Sequence, residues 1–159
     1  MYDVLDVCRY VINYSNEKDY VISNLKLQKL LYFIQAFFLI SRTGSACFHE
    51  KIEAWEFGPV VPEAYREYKQ YGSGVIPPIS SYIESDTSNI WNSKRMIYDE
   101  SVILDIHRKM IAEVVDTFSE YSAAALVTLT HDQSPWMDAY VPHQNNEITI
   151  ESMRKYFDE

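Results

Sequence analysis

The side chains best suited to nucleophilic, general-base or metal chemistry in this chain are its four histidines and two cysteines. His131 is followed by Asp132, a pairing that suggests an imidazole base oriented by a carboxylate. Side chains adjacent in sequence seldom orient one another in this way, and no motif ties a serine or cysteine nucleophile to them. A histidine at a polar helix end, bonded to backbone, explains the pair more simply, and an enzyme built around His131 and Asp132 stays as an alternative. Cys47-x-His49, with Glu50 and Glu53 close behind, superficially offers metal ligands. Zinc needs three or four ligands of suitable type, and no second Cys/His pair has matching spacing, so no metal is expected. Cys8 and Cys47 lie far apart, outside any Cys-x-x-Cys pattern, and read as free thiols of a reducing compartment. His107 belongs to the charged run Asp105-Ile106-His107-Arg108-Lys109, a solvated face, and His143 to a loop.

Phosphate and acyl-transfer motifs are missing as well. The chain contains no G-x-G-x-x-G, G-x-x-x-x-G-K-[ST], G-x-S-x-G or H-E-x-x-H. Gly72-Ser73-Gly74 lacks a following Lys-Ser/Thr and reads as a turn, so no cofactor is expected. Aromatic residues are plentiful, with 13 Tyr, 7 Phe and 3 Trp. Tyr65, Tyr68 and Tyr71 share roughly one side of a helix. Such a stripe packs into a core, offers anchors to a protein partner, or stacks on bases. The balance of 14 basic against 23 acidic residues gives a net charge of −9, which repels phosphate backbones and disfavours the last reading. Nucleic acid is not an expected ligand.

The elements that position these groups are mostly helical. The chain has 159 residues, which sets an expectation of one domain over 1–159, and only 4 Gly and 6 Pro argue against a multi-stranded sandwich. Val4, Val7, Cys8, Val11 and Ile12 fall on one helical face, ended by the polar stretch Ser15–Asp19. Ser23 or Asn24 caps the next helix. There Leu27, Leu30, Leu31, Ile34, Phe37 and Phe38 keep helical spacing, while Phe33, Ala36 and Leu39 extend the apolar surface around it. This is the expected centre of the fold, with Gly44 placed to stop it. A short extended segment ends at Gly58-Pro59, and Pro62 starts a helix that runs to Gly72-Ser73-Gly74. Val75 to Asn92, rich in Ser, Pro, Asn and Asp, reads as a long surface loop.

A helix over about Ser101–Phe118 follows, with Val102, Ile106, Met110 and Val114 on one face. Ser119 or Ser122 begins a further short helix, and Ser134-Pro135 starts the turn holding Trp136. Thr149 caps a last helix, with Ile148 and Met153 spaced as a hydrophobic staple. The expected architecture is a mostly α, compact single-domain bundle of six or seven helices with at most a small β element. The N-terminus lacks a signal-peptide pattern, and Leu30–Ile40 is too short to span a bilayer. A soluble cytoplasmic protein with no membrane partner is expected.

Three blocks in this sequence resemble the Panacea domain family. They are Leu25-Lys26-Leu27-Gln28-Lys29-Leu30-Leu31-Tyr32-Phe33, then Ile52-Glu53-Ala54-Trp55-Glu56-Phe57-Gly58-Pro59-Val60-Val61-Pro62 followed by Tyr65, then Tyr121-Ser122 through Thr130-His131-Asp132-Gln133-Ser134-Pro135-Trp136. They keep the family's order and cover most of the chain from Leu25 to Tyr140. The family tends to place an acidic residue at the start of the penultimate helix, where this chain has Ser122-Ala123-Ala124-Ala125. Residues 75–100 contain no recognisable block.

The resemblance implies scaffold roles for Leu27, Gln28, Lys29, Leu30, Leu31, Tyr32, Glu53, Trp55, Gly58, Pro59, Thr130, His131, Pro135 and Trp136. Lys26 and Lys29 are read as the polar edge of a core helix. The resemblance also implies an antitoxin that neutralises a cognate toxin, expected from the neighbouring gene, by direct protein–protein contact without catalysis. Some members also deliver the toxin to an ATP-dependent protease, which is the alternative. No helix-turn-helix domain is seen, so autorepression is not expected. The expected contact set is Trp55, Phe57, Tyr65, Tyr68 and Tyr71 together with the 75–92 loop, and the acidic charge favours a basic toxin.

Overall fold

Ser23 opens the helix around which the rest of the molecule is built: its hydroxyl accepts a hydrogen bond from Lys26 N at 3.3 Å. The computed structural model describes residues 1–85 and 88–158. This central helix, α2 (Asn24–Ile40), is buried over nearly its whole surface, as its apolar coverage requires. Around it lie α1 (Val4–Glu17), α3 (Pro62–Tyr68), α4 (Asp105–Thr117), α5 (Ala123–His131), α6 (Ser134–Ala139) and α7 (Ile150–Phe157), seven α-helices in all among the described residues. Asp3 caps α1, Ser122 caps α5 and Thr149 caps α7, each through its side-chain oxygen, while Pro62 occupies the first turn of α3.

Five short strands complete the fold among the described residues. β1 (Ile52–Trp55) is central in an antiparallel sheet, flanked by β2 (Gly58–Val60) and β5 (Glu147–Ile148). Ile52 and Ala54 of β1 point into the core, leaving Glu53 and Trp55 on the outer face. β3 (Ser81–Glu84) pairs with β4 (Lys94–Ile97) in a separate two-stranded ribbon. The mostly α single bundle with small β elements agrees with the sequence reading. Among the described residues no helix is long and apolar enough to cross a membrane.

Four local expectations need correction. Helix α2 ends at Ile40, and Gly44 (φ +61°) closes the following turn instead of the helix. The 75–92 segment is not wholly a loop: it carries β3, and Ile76 is fully buried. Asp86 and Thr87 of that segment lie outside the described residues. The fourth helix starts at Asp105, and its core side is Ile111, Val114 and Val115, with Val102 and Ile106 exposed. Lys26 and Lys29, read as the polar edge of the core helix, are themselves buried, because the β1–β2 hairpin and the chain before α5 cover that side of α2.

Candidate functional site

The two-residue tip of the β1–β2 hairpin, Glu56-Phe57, is where the three sequence blocks meet. Gly58 follows the tip at φ +104°, a conformation that L side chains avoid. A Cβ there would stand 2.7 Å from Lys29 Cε and 2.9 Å from Thr130 Oγ1, so glycine is required twice over. Lys29 Nζ donates to the carbonyl of Pro59 at 3.0 Å. Gln28, one turn position away, accepts from Val61 N at 3.0 Å and donates to Asn24 Oδ1 at 2.9 Å. From the other side, Trp136 Nε1 donates to the carbonyl of Trp55 at 2.8 Å, and His131 Nε2 lies 3.0 Å from the carbonyl oxygen of Glu56. Side chains of α2, α5 and α6 therefore hold three backbone carbonyls of one hairpin, at Trp55, Glu56 and Pro59.

The clamp is itself braced. His131 stacks on Trp136 at 4.0 Å between centroids, and Trp136 stacks on Tyr140 at 4.6 Å. Tyr32 donates to Gln133 Oε1 at 2.8 Å, tying α2 to the turn before α6. Thr130 and Pro135 are buried, and Leu27, Leu30 and Leu31 form the core beneath. Burial brings the Lys29 ammonium down to a pKa of about 7, because its charged form loses hydration.

On the outer face, Trp55 meets Tyr65 edge-on with ring centroids 5.0 Å apart. These two rings and Phe57 line a cleft of about 430 Å3 that Leu25, Val60 and Lys69 complete. Its buried floor is made by the amides of Asn24 and Gln28. Phe57 is 60% exposed at its brim. The residues expected to contact a partner thus divide. Trp55, Phe57 and Tyr65 are brought together, whereas Tyr68 is 5% exposed and belongs to the core. Tyr71 is half-buried and packs against the core outside the cleft. The tyrosine stripe is split because α3 lies on the body of the protein along one edge, which Ala64 and Tyr68 face. Asn24, Leu25 and Lys69 were not foreseen as lining residues. The amides at 24 and 28, one helical turn apart on the central helix, were the available signal.

His131, engaged by Glu56 and Trp136, is part of the hairpin clamp, and Asp132 beside it is exposed. The His49, Glu50 and Glu53 grouping is not formed: Glu53 accepts from Trp55 Nε1 at 2.9 Å. Instead His49 and Glu50 come near Asp3. Both of those carboxylates serve the first amides of α1, Asp3 accepting from Leu5 N at 2.8 Å and Glu50 from Val4 N at 3.0 Å. Cys8 and Cys47 are buried free thiols, and burial pushes both well above the usual thiol range.

Comparison with known proteins bears on this arrangement. The family described as antitoxin SocA-like, Panacea domain, matches residues 27–137, a span that holds most of α2, the whole hairpin and the side chains that clamp it, and all of the cleft lining except Asn24 and Leu25. The antitoxin SocA of Caulobacter vibrioides (strain NA1000 / CB15N) is 35% identical over 135 residues, which cover 84% of this chain and 68% of the relative. No solved structure matches the chain.

Proposed function

Because this chain belongs to the antitoxin SocA-like, Panacea domain family, we propose that it neutralises a toxin protein by direct contact at the aromatic cleft beside the β1–β2 hairpin. The observation that carries this reading is the exposed Phe57 at the brim of a cleft walled by Trp55 and Tyr65. Large aromatic side chains supply most of the energy of tight protein interfaces, and here they stand on a hairpin whose backbone is pinned from two sides. Preformed anchors of this kind avoid an ordering cost on binding. A stable complex needs roughly 800 Å2 per partner, a small part of the 9259 Å2 that this domain exposes. The structural engagement of His131 supports a function without a reaction of its own. The −9 charge favours a basic toxin, and on this reading the two proteins meet in the cytoplasm.

The test is co-expression with the product of the neighbouring gene. Growth rescue, with the two proteins co-purifying and toxin levels held, is expected. Rescue that depends on an ATP-dependent protease and lowers toxin levels would replace masking with delivery. Loss of rescue in a folded His131→Ala protein, with Phe57→Ser unaffected, would turn the reading to an enzyme.

A further inference from the structure

We propose that the cleft lined by Trp55 and Tyr65 receives an arginine side chain of the toxin, which lies against the open side of the paired rings, an inference that rests on the antitoxin reading above. The cleft's chemistry selects this anchor. Trp55 donates its indole N–H to the carboxylate of Glu53 at 2.9 Å. Donation to an anion leaves the indole ring richer in electron density, and the face of an electron-rich indole is the strongest aromatic seat for a cation. Tyr65 stands against it at 5.0 Å as a second wall. Glu56, exposed on the hairpin tip, lines the same opening, and the Glu53 carboxylate stands behind it at the Trp55 indole N–H.

The floor gives the second part of the selectivity. The Asn24 and Gln28 amides are buried there, 4% and 1% exposed, and their interior hydrogen bonds run to Tyr65 O, to Val61 N and to each other. They fix the floor's shape, and since each of their side-chain oxygens and nitrogens already has an interior partner, the anchor is chosen by how it lies on the rings above. A guanidinium stacks flat on aromatic rings and is weakly hydrated, whereas an ammonium is compact and holds its water. A volume of about 430 Å3 admits one long side chain and no folded element. Lys69 lines the opposite rim and is exposed, so its ammonium remains in water on a flexible stem. The cleft is thus acidic on the hairpin side and basic on the α3 side. The −9 charge of the whole domain draws the same kind of partner.

The probe is a short capped peptide with a single central arginine, and matched peptides carrying lysine, citrulline or glutamate serve as comparisons. Titration of the full chain is followed by calorimetry for every variant and, where Trp55 is kept, by its indole N–H resonance as well. A saturable shift with the arginine peptide is expected at millimolar concentrations, with roughly threefold weaker binding for lysine and for citrulline. Glu53→Gln, which keeps the ring and its packing, is expected to weaken arginine binding roughly threefold. Trp55→Leu should abolish it.

No shift at Trp55, or equal binding of lysine and arginine peptides that survives Trp55→Leu, overturns the proposal. A Trp55 resonance that moves with protein concentration alone would assign the cleft to a second copy and overturn it as well. Rescue from the toxin is scored in parallel. If the wild type rescues but the arginine peptide leaves Trp55 untouched, the antitoxin reading stands and the arginine seat falls. If the wild type does not rescue, both fall.

Discussion

Lys29 and Pro59 are joined inside the protein: the lysine ammonium lies 3.0 Å from the proline carbonyl oxygen, with its whole side chain out of water. A lysine that deep keeps its proton reluctantly, which makes the central helix sensitive to pH.

In the unfolded chain Lys29 remains charged up to its ordinary pKa of 10.5, while the folded protein releases that proton at about 7. Between those values the unfolded state binds more protons, so stability rises with pH, by up to roughly 1.4 kcal/mol per unit. Below pH 7 the contribution is flat. Above about pH 8.5 the buried thiols of Cys8 and Cys47, held protonated by burial, reverse the trend because the unfolded chain releases those protons first. Urea midpoints should therefore climb from about pH 7 to about pH 8.5. Lys29→Met should flatten that climb; an unchanged slope in the variant would assign the effect to another group.

Gly58→Ala should destabilise by about 2–4 kcal/mol, combining a left-handed backbone with a Cβ forced onto Lys29 and Thr130. The double variant Gly58→Ala/Lys29→Ala should recover part of the loss, since it removes the Lys29 atoms that the new Cβ meets. Equal midpoints for the wild type and Gly58→Ala would contradict the packing at the hairpin.

Trp136→Phe keeps a ring between His131 and Tyr140 but removes the hydrogen bond to the Trp55 carbonyl, a cost of about 1 kcal/mol. Trp136→Ala removes the stack too and should cost about 3 kcal/mol, and Leu31→Ala, in the buried centre, about 2–5 kcal/mol. Thermal melts measure all three; an alanine variant at either position that melts with the parent would misplace the core.

Phe57→Ser should leave the melting temperature within about a degree or two, because the ring is 60% exposed, while toxin affinity falls at least about tenfold. Tyr68→Ala should do the reverse: its hydroxyphenyl group is buried, so folding stability drops by about 3 kcal/mol. Calorimetric binding and melts on the same two proteins separate the roles. A Phe57 variant that binds as tightly as the wild type would remove the hairpin tip from the interface.

Much of the fold was legible because it depends on local signals. Ser23, Ser122 and Thr149 are side chains whose oxygens satisfy first-turn amides, and Pro62 has no amide to satisfy. What escaped was decided by distant neighbours. Residues Tyr65 and Tyr68 have the same chemistry at helical spacing, and only the line along which α3 meets the body separates a cleft wall from a core residue. The ribbon of β3 and β4 was hidden because its strands sit among Ser, Pro and Asn, and Trp91 between them is 88% exposed, so no burial pattern marks it. Lys29 reads as a polar edge because lysines are seldom fully buried; its burial follows from Gly58, which lets the hairpin close over it.

The clamp on the hairpin grips main-chain oxygens at Trp55, Glu56 and Pro59. Every residue type carries such an oxygen, so the identity of the side chains at 56 and 57 is invisible to the framework that holds them. The side chains at those two positions can therefore change without costing the framework any of the three contacts that hold the hairpin.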